Sequence, residues 1–124
     1  MAGLGTVFRN LSRTPDEIRA ENLRAWQGTL TDVKPIASLK SRERAKVAGV
    51  IQNIRIDPRG GTSIEATIID GTGHMVAKWL GRDRMLGIGL GMGLIMEGVC
   101  GGGSQGELVI LNPEYSLVSN PEHG

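Results

Sequence analysis

Four aromatic side chains, one cysteine, two histidines and no long apolar run set the first limits on this sequence. With Cys100 as the only cysteine, the chain can form no internal disulfide and no cysteine-based zinc cluster. His74 and His123 alone give no basis for a transition-metal site, and no cofactor is called for. No Ser/His/Asp or Cys/His arrangement suggests a nucleophilic enzyme, so the expectation is a non-enzymatic protein. No apolar run approaches the ~18 residues of a membrane span, and the start lacks the apolar core of a secretion signal. A cytoplasmic protein without a membrane partner follows as the expectation.

What is present is one modest core's worth of chain and an uneven distribution of charge. The 124 residues carry a formal net charge of +1, too little to bind nucleic acid through bulk charge. Residues 1–62 hold an excess of five positive charges and residues 63–124 an excess of four negative ones, which points to an oriented field.

Ser63 to Leu80 reads as a hairpin. Ile64, Ala66 and Ile68 alternate with Ser63, Glu65 and Thr67; after the turn, Met75, Ala77 and Trp79 alternate with Val76 and Lys78. This period of two, rich in β-branched residues, is that of half-buried strands. Asp70-Gly71-Thr72-Gly73 supplies the reversal, with the Asp70 side chain available to bond nearby backbone N–H groups.

Ahead of the hairpin, Thr14-Pro15-Asp16-Glu17 is a helix start, with a cap, a first-turn proline and a capping-box glutamate. That helix runs from about 15 to 27 and stops at Gly28, with Ile18, Leu23, Ala25 and Trp26 near one face. A long strand over 44–56 follows, with Val47, Ile51 and Ile54 as core residues and Gly49 marking a bend. Such a strand can serve two halves of a small barrel. Beyond the hairpin, Gly87-Ile-Gly-Leu-Gly-Met-Gly is not a nucleotide loop, because no helical pattern follows it. The better parse is a short turn or helical stub over 82–88, a strand over 94–99, a glycine loop over 101–106 and a fifth strand over 107–111. Residues 116–118 form a short extension before a polar tail. The division is a leader over 1–35, a barrel domain over 36–118 and a tail over 119–124.

Several pieces together resemble the OB-fold, a five-stranded all-β Greek-key barrel, here preceded by a short helix. They are Val47-Ala-Gly49-Val50, Ile68-Ile-Asp70-Gly71-Thr72-Gly73, Trp79 ending the third strand, Leu94-Ile-Met-Glu-Gly98-Val99 and Ile110-Leu-Asn112-Pro113-Glu-Tyr115. The succession is similar to the wedge OB domain of RecG-type branched-DNA helicases and, more distantly, to anticodon-binding OB domains. With Trp79-Leu-Gly81-Arg82 and Gly87-Ile88 it also resembles short stand-alone actinobacterial OB-fold proteins. The resemblance implies a binding module without a motor, taking single-stranded or branched DNA, or RNA, across strands two and three.

The candidate contacts are Arg44, Lys46, Gln52, Arg55, Arg59, His74, Lys78, Trp79, Arg82 and Arg84, with the 57–62 and 101–106 loops bordering a groove. By strand parity Trp79 also belongs with the core, Tyr115 fits a plug at a barrel end, and the outward positions of the hairpin carry no rings. Binding would therefore lean on phosphates, with little sequence preference and a strong salt dependence. The alternative is a protein-interaction adaptor using the barrel or the helix, or a homodimer formed through the helix.

Overall fold

A computed structural model describes residues 15–121, with side chains described from Glu21 onward. The proposed cap at Thr14, and the side chains of Glu17 and Ile18, lie outside that range. The elements are helix α1 (Pro15–Gly28), a single 3-10 turn (Ile36–Ser38), and strands β1 (Arg44–Asp57), β2 (Ser63–Ile69), β3 (His74–Leu80), β4 (Gly93–Gly102), β5 (Leu108–Leu111) and β6 (Glu114–Val118). No helix among the described residues is long and apolar enough to cross a membrane.

β1 is shared between two halves of the sheet, as its glycine suggested. Arg44 to Val50 pairs with β4 and Val50 to Asp57 pairs with β2, both antiparallel. The strand turns from one neighbour to the other at Gly49. A Cβ there would fall 2.7 Å from the Ile69 carbonyl oxygen, a backbone atom that cannot step aside. β2 pairs with β3, β3 runs parallel to β5, and β5 pairs with β4, which returns to β1. Five strands thus close on themselves in the order of the OB-fold, leaving few free backbone edges.

The short extension over 116–118 belongs to a paired strand, β6. β4 is ten residues long, and β5 covers only Cys100 to Gly102 of it; β6 pairs with the uncovered Gly93 to Glu97. Asn112 (φ 47°) and Pro113 break what would otherwise be one strand. The break is fastened to the end of β3: Asn112 N donates to the Lys78 carbonyl at 2.7 Å, and its Oδ1 accepts from Leu80 N at 2.9 Å. Of the two readings for 82–88, a short turn or a helical stub, the structure takes the turn. Glycines at positive φ (Gly81, Gly87 and Gly91) interrupt any helix, while Met85, Ile88 and Met92 still pack on the core.

The core comprises the inward alternating residues of all five barrel strands, among them Val47, Ile51, Ile64, Ile68, Met75, Leu94, Met96 and Ile110. α1 packs on β1. Leu23 and Trp26 are buried, Ala25 is exposed, and Trp26 lies over Gly93, where a Cβ would come within 3.1 Å of the ring. Ala48 and Val50, on the outer face by alternation, are buried as well. The apolar face of the described helix is thus spent on its own barrel.

Candidate nucleic-acid interface

One irregularity in β1 decides what faces the outer side of the barrel. Ile51 pairs with Ile68 but Asn53 pairs with Thr67, so Gln52 is an extra residue, a β-bulge. The extra residue shifts the alternation by one. Ile54 then turns inward against the core, and Asn53 and Arg55 turn outward. Without the bulge Arg55 would point into the barrel.

The register that follows builds cross-strand rungs. Arg55, Glu65, Lys78 and Leu111 stand side by side on β1, β2, β3 and β5. One step along, Asn53, Thr67, Val76, Val109 and Gly101 form the next. These two rungs are the floor of an open groove of about 1190 Å³, bordered by the β1–β2 loop at Arg59 and the β4–β5 loop over 102–107.

Of the ten candidates, the groove brings together Arg44, Arg55, Arg59, His74 and Lys78. Lys46, Gln52, Arg82 and Arg84 do not line it. Lys46 lies on the half of β1 that pairs with β4, where its carbonyl accepts from Lys34 N. Gln52 is spent on the bulge, and Arg82 and Arg84 project from the exposed β3–β4 loop. Trp79 requires a correction. It is 2% exposed, its indole Nε1 donates to the Pro113 carbonyl at 3.2 Å, and Tyr115 meets it edge-on at a centroid distance of 5.3 Å. Its ring has no free face for a base. Among the described residues the groove lining contains no Phe, Tyr or Trp.

The groove is also not basic, contrary to expectation. Arg44, Arg55, Arg59 and Lys78 are matched there by Glu65, Glu97, Glu107 and Glu114. Each cation has a carboxylate beside it. Arg44 meets Glu97 at 3.4 Å, and Arg59 meets Asp57 at 3.1 Å. Arg55 grips Glu65 through Nη2 at 2.6 Å and Nε at 2.9 Å, while Lys78 reaches the other oxygen of Glu65 at 3.3 Å. Hairpin alternation already turns Glu65 outward, but its pairing with Arg55 and the places of Asn53 and Leu111 on the floor come from cross-strand register, which local spacing does not give. A signal for the bulge was present: core residues at 47 and 51 and again at 54 cannot all share one unbroken alternation.

The β1–β2 loop has its own clamp. Asp57 Oδ1 accepts from Arg59 N at 3.0 Å and from its Nε at 3.1 Å, and these bonds hold the Asp57 carboxyl down at about 2 from an ordinary 3.8. A carboxyl whose pKa falls on folding stabilises the fold fully above its unfolded value and loses that contribution as pH drops through the folded one. Wild-type protein is therefore expected to lose stability between about pH 4 and pH 2 more steeply than Asp57→Asn. Denaturant melts across that window check this; parallel curves for the two proteins would refute it.

The fold and the open groove across its hairpin define an OB-fold barrel. No protein-family model matches the chain, and no curated protein matches it. Among solved structures, it is similar to RecG bound to a three-way DNA junction, with 18% identity, a TM-score of 0.56 and coverage of 68% of this chain and 12% of that one. It is also similar to the HINa domain of Ifi202 in complex with 20-bp double-stranded DNA, with 13% identity, a TM-score of 0.57 and coverage of 71% of this chain and 47% of that one. This chain thus spans a small part of the first and about half of the second. At these identities the likeness establishes the fold.

Proposed function

We propose that this protein is a nucleic-acid-binding module that takes a single strand, or the single-stranded part of a branched DNA, along the groove over β2 and β3. The observation that carries the reading is the convergence of Arg44, Arg55, Arg59 and Lys78, from two strands and a loop, on one open groove. Phosphates would lie on these cations. Asn53, Thr67 and His74 offer hydrogen bonds to bases, and Val76 and Val109 offer flat apolar floor. With no ring to stack on, the module reads the polymer's backbone and discriminates little between sequences. Both structural neighbours hold DNA, which supports the reading.

The test is a titration with labelled single-stranded, double-stranded and forked DNA and with single-stranded RNA, at low and then physiological salt. Preference for single strands or forks, weakening linearly in log affinity against log salt, is the expected result. Arg55→Ala/Lys78→Ala should weaken binding at least about tenfold, the loss of two phosphate contacts. Absence of binding at low salt, or equal affinity in the folded double variant, would overturn it.

A protein ligand is the second reading. The groove holds as many carboxylates as cations and exposes Val99 and Leu111, as a peptide-binding surface does. A stoichiometric protein partner retained after nuclease treatment would favour it.

A further inference from the structure

We propose that Glu65 stands where a ligand phosphate would sit, so that the groove carries its own displaceable counter-ion and Glu65 sets the affinity and the kind of anion admitted. This inference rests on the nucleic-acid reading above and concerns how that site is regulated.

The three acid–base pairings of the groove are not equivalent. Arg44 and Glu97 are both well exposed, with side chains 60% and 46% accessible, so water competes freely for that contact. Arg59 is paired within its own loop, two residues from Asp57. Glu65 differs from both because two cations from separate strands converge on it. Arg55 stands directly across from it on β1 and Lys78 directly across on β3, and each takes one carboxylate oxygen. The Glu65 side chain is only 17% accessible, on the floor of the groove.

A carboxylate held by a guanidinium fork and an ammonium has the geometry of a phosphate held by the same groups. A phosphate entering between Arg55 and Lys78 must move the Glu65 carboxylate or lie against it. The local site then has a net charge of +1, where the same site without Glu65 would have +2. A free phosphate or a mononucleotide gains too little from a single contact to displace the carboxylate. A polymer already held at Arg44 and Arg59 presents its next phosphate at high effective concentration and can do so. Glu65 thereby filters for a polyanion.

The experiment compares wild type, Glu65→Gln and Glu97→Gln for binding a labelled oligothymidylate across a salt series, with inorganic phosphate as competitor. Glu65→Gln is expected to bind about tenfold tighter at low salt, the effect of one screened charge close to the ligand. Its log–log salt slope should steepen by about 0.7, one further phosphate neutralised. Inorganic phosphate should compete measurably with the variant and not with wild type. Glu97→Gln should change affinity less than about threefold, as an exposed pair does. Glu65→Thr, which suits a strand, repeats the test should the glutamine variant fold poorly.

Unchanged or weaker binding by Glu65→Gln, while Arg55→Ala/Lys78→Ala still impairs wild type, would overturn the role of Glu65 and leave the groove standing. Binding by wild type and Glu65→Gln that is indifferent to Arg55 and Lys78 would overturn the groove itself. So would no binding by either protein at low salt.

Discussion

Asp70→Ala should destabilise the fold by about 3–5 kcal/mol, through the loss of two buried charge-assisted hydrogen bonds worth about 1.5–3 kcal/mol each. Asp70 is 1% exposed and accepts from five donors. Oδ1 takes Thr72 N at 2.8 Å, Thr72 Oγ1 at 2.6 Å and Gly73 N at 3.1 Å, which shapes the β2–β3 turn. Oδ2 takes the Ile36 backbone N–H at 2.8 Å and Gln27 Nε2 at 2.9 Å, both buried bonds to elements more than thirty residues away. One carboxylate therefore ties the hairpin, the 3-10 turn and the end of α1 together. Its own burial is tolerable only because every lone pair that leaves water finds a donor.

Asp70→Asn keeps one acceptor oxygen but aims an NH2 at donors, so about half the loss is expected from it. Urea unfolding measures both variants. A midpoint within error of wild type for Asp70→Ala would mean that the five donors are satisfied equally well by water. Release of α1 should also redden the emission of Trp26, which now lies buried over Gly93.

Asp70 shows how much of this fold was legible in the sequence, and at what range legibility stopped. Its turn role was readable from Asp-Gly-Thr-Gly, because an Asx side chain bonding backbone two and three residues on is a local matter. Its grip on Ile36 and Gln27 was not, since nothing in residue spacing says that the leader folds back to the hairpin. The same boundary runs through the rest of the chain. Hydrophobic alternation located β2 and β3, and Gly49 marked the bend in β1, because each depends on a few adjacent residues. The pairing of β6 is not legible in this way, since it depends on how much of β4 the strand before it leaves uncovered.

The candidate site follows the same logic more severely. Arg44, Arg55, Arg59 and Lys78 are visible in a sequence as basic residues, but which carboxylate each one meets is set by the fold. Glu97 lies 53 residues from Arg44 in sequence, and Glu65 reaches Arg55 only through a register that includes a bulge. An uneven charge distribution along a sequence can fold into locally balanced pairs, and here it does so within the groove.

Trp79→Ala is the second large effect, at about 3–5 kcal/mol, the cost of truncating a large buried aromatic side chain. The ring sits on the core side of β3 against Tyr115, and its N–H is bonded to the Pro113 carbonyl next to the Asn112 break. Removing it opens a cavity where β3, β5 and β6 meet and frees the carbonyl that helps to fix the break. Trp79→Phe retains most of the volume and loses the N–H bond, so a loss of about 1–2 kcal/mol is expected. This milder variant separates packing from recognition. If Trp79 serves only the core, folded Trp79→Phe binds single strands within about twofold of wild type, well inside the ~1–3 kcal/mol that a base-stacking ring contributes. A tenfold or greater loss in a variant whose melt shows it fully folded would return Trp79 to the binding surface. It would also require the barrel to open at β3 when ligand binds, because in the structure the indole has no accessible face.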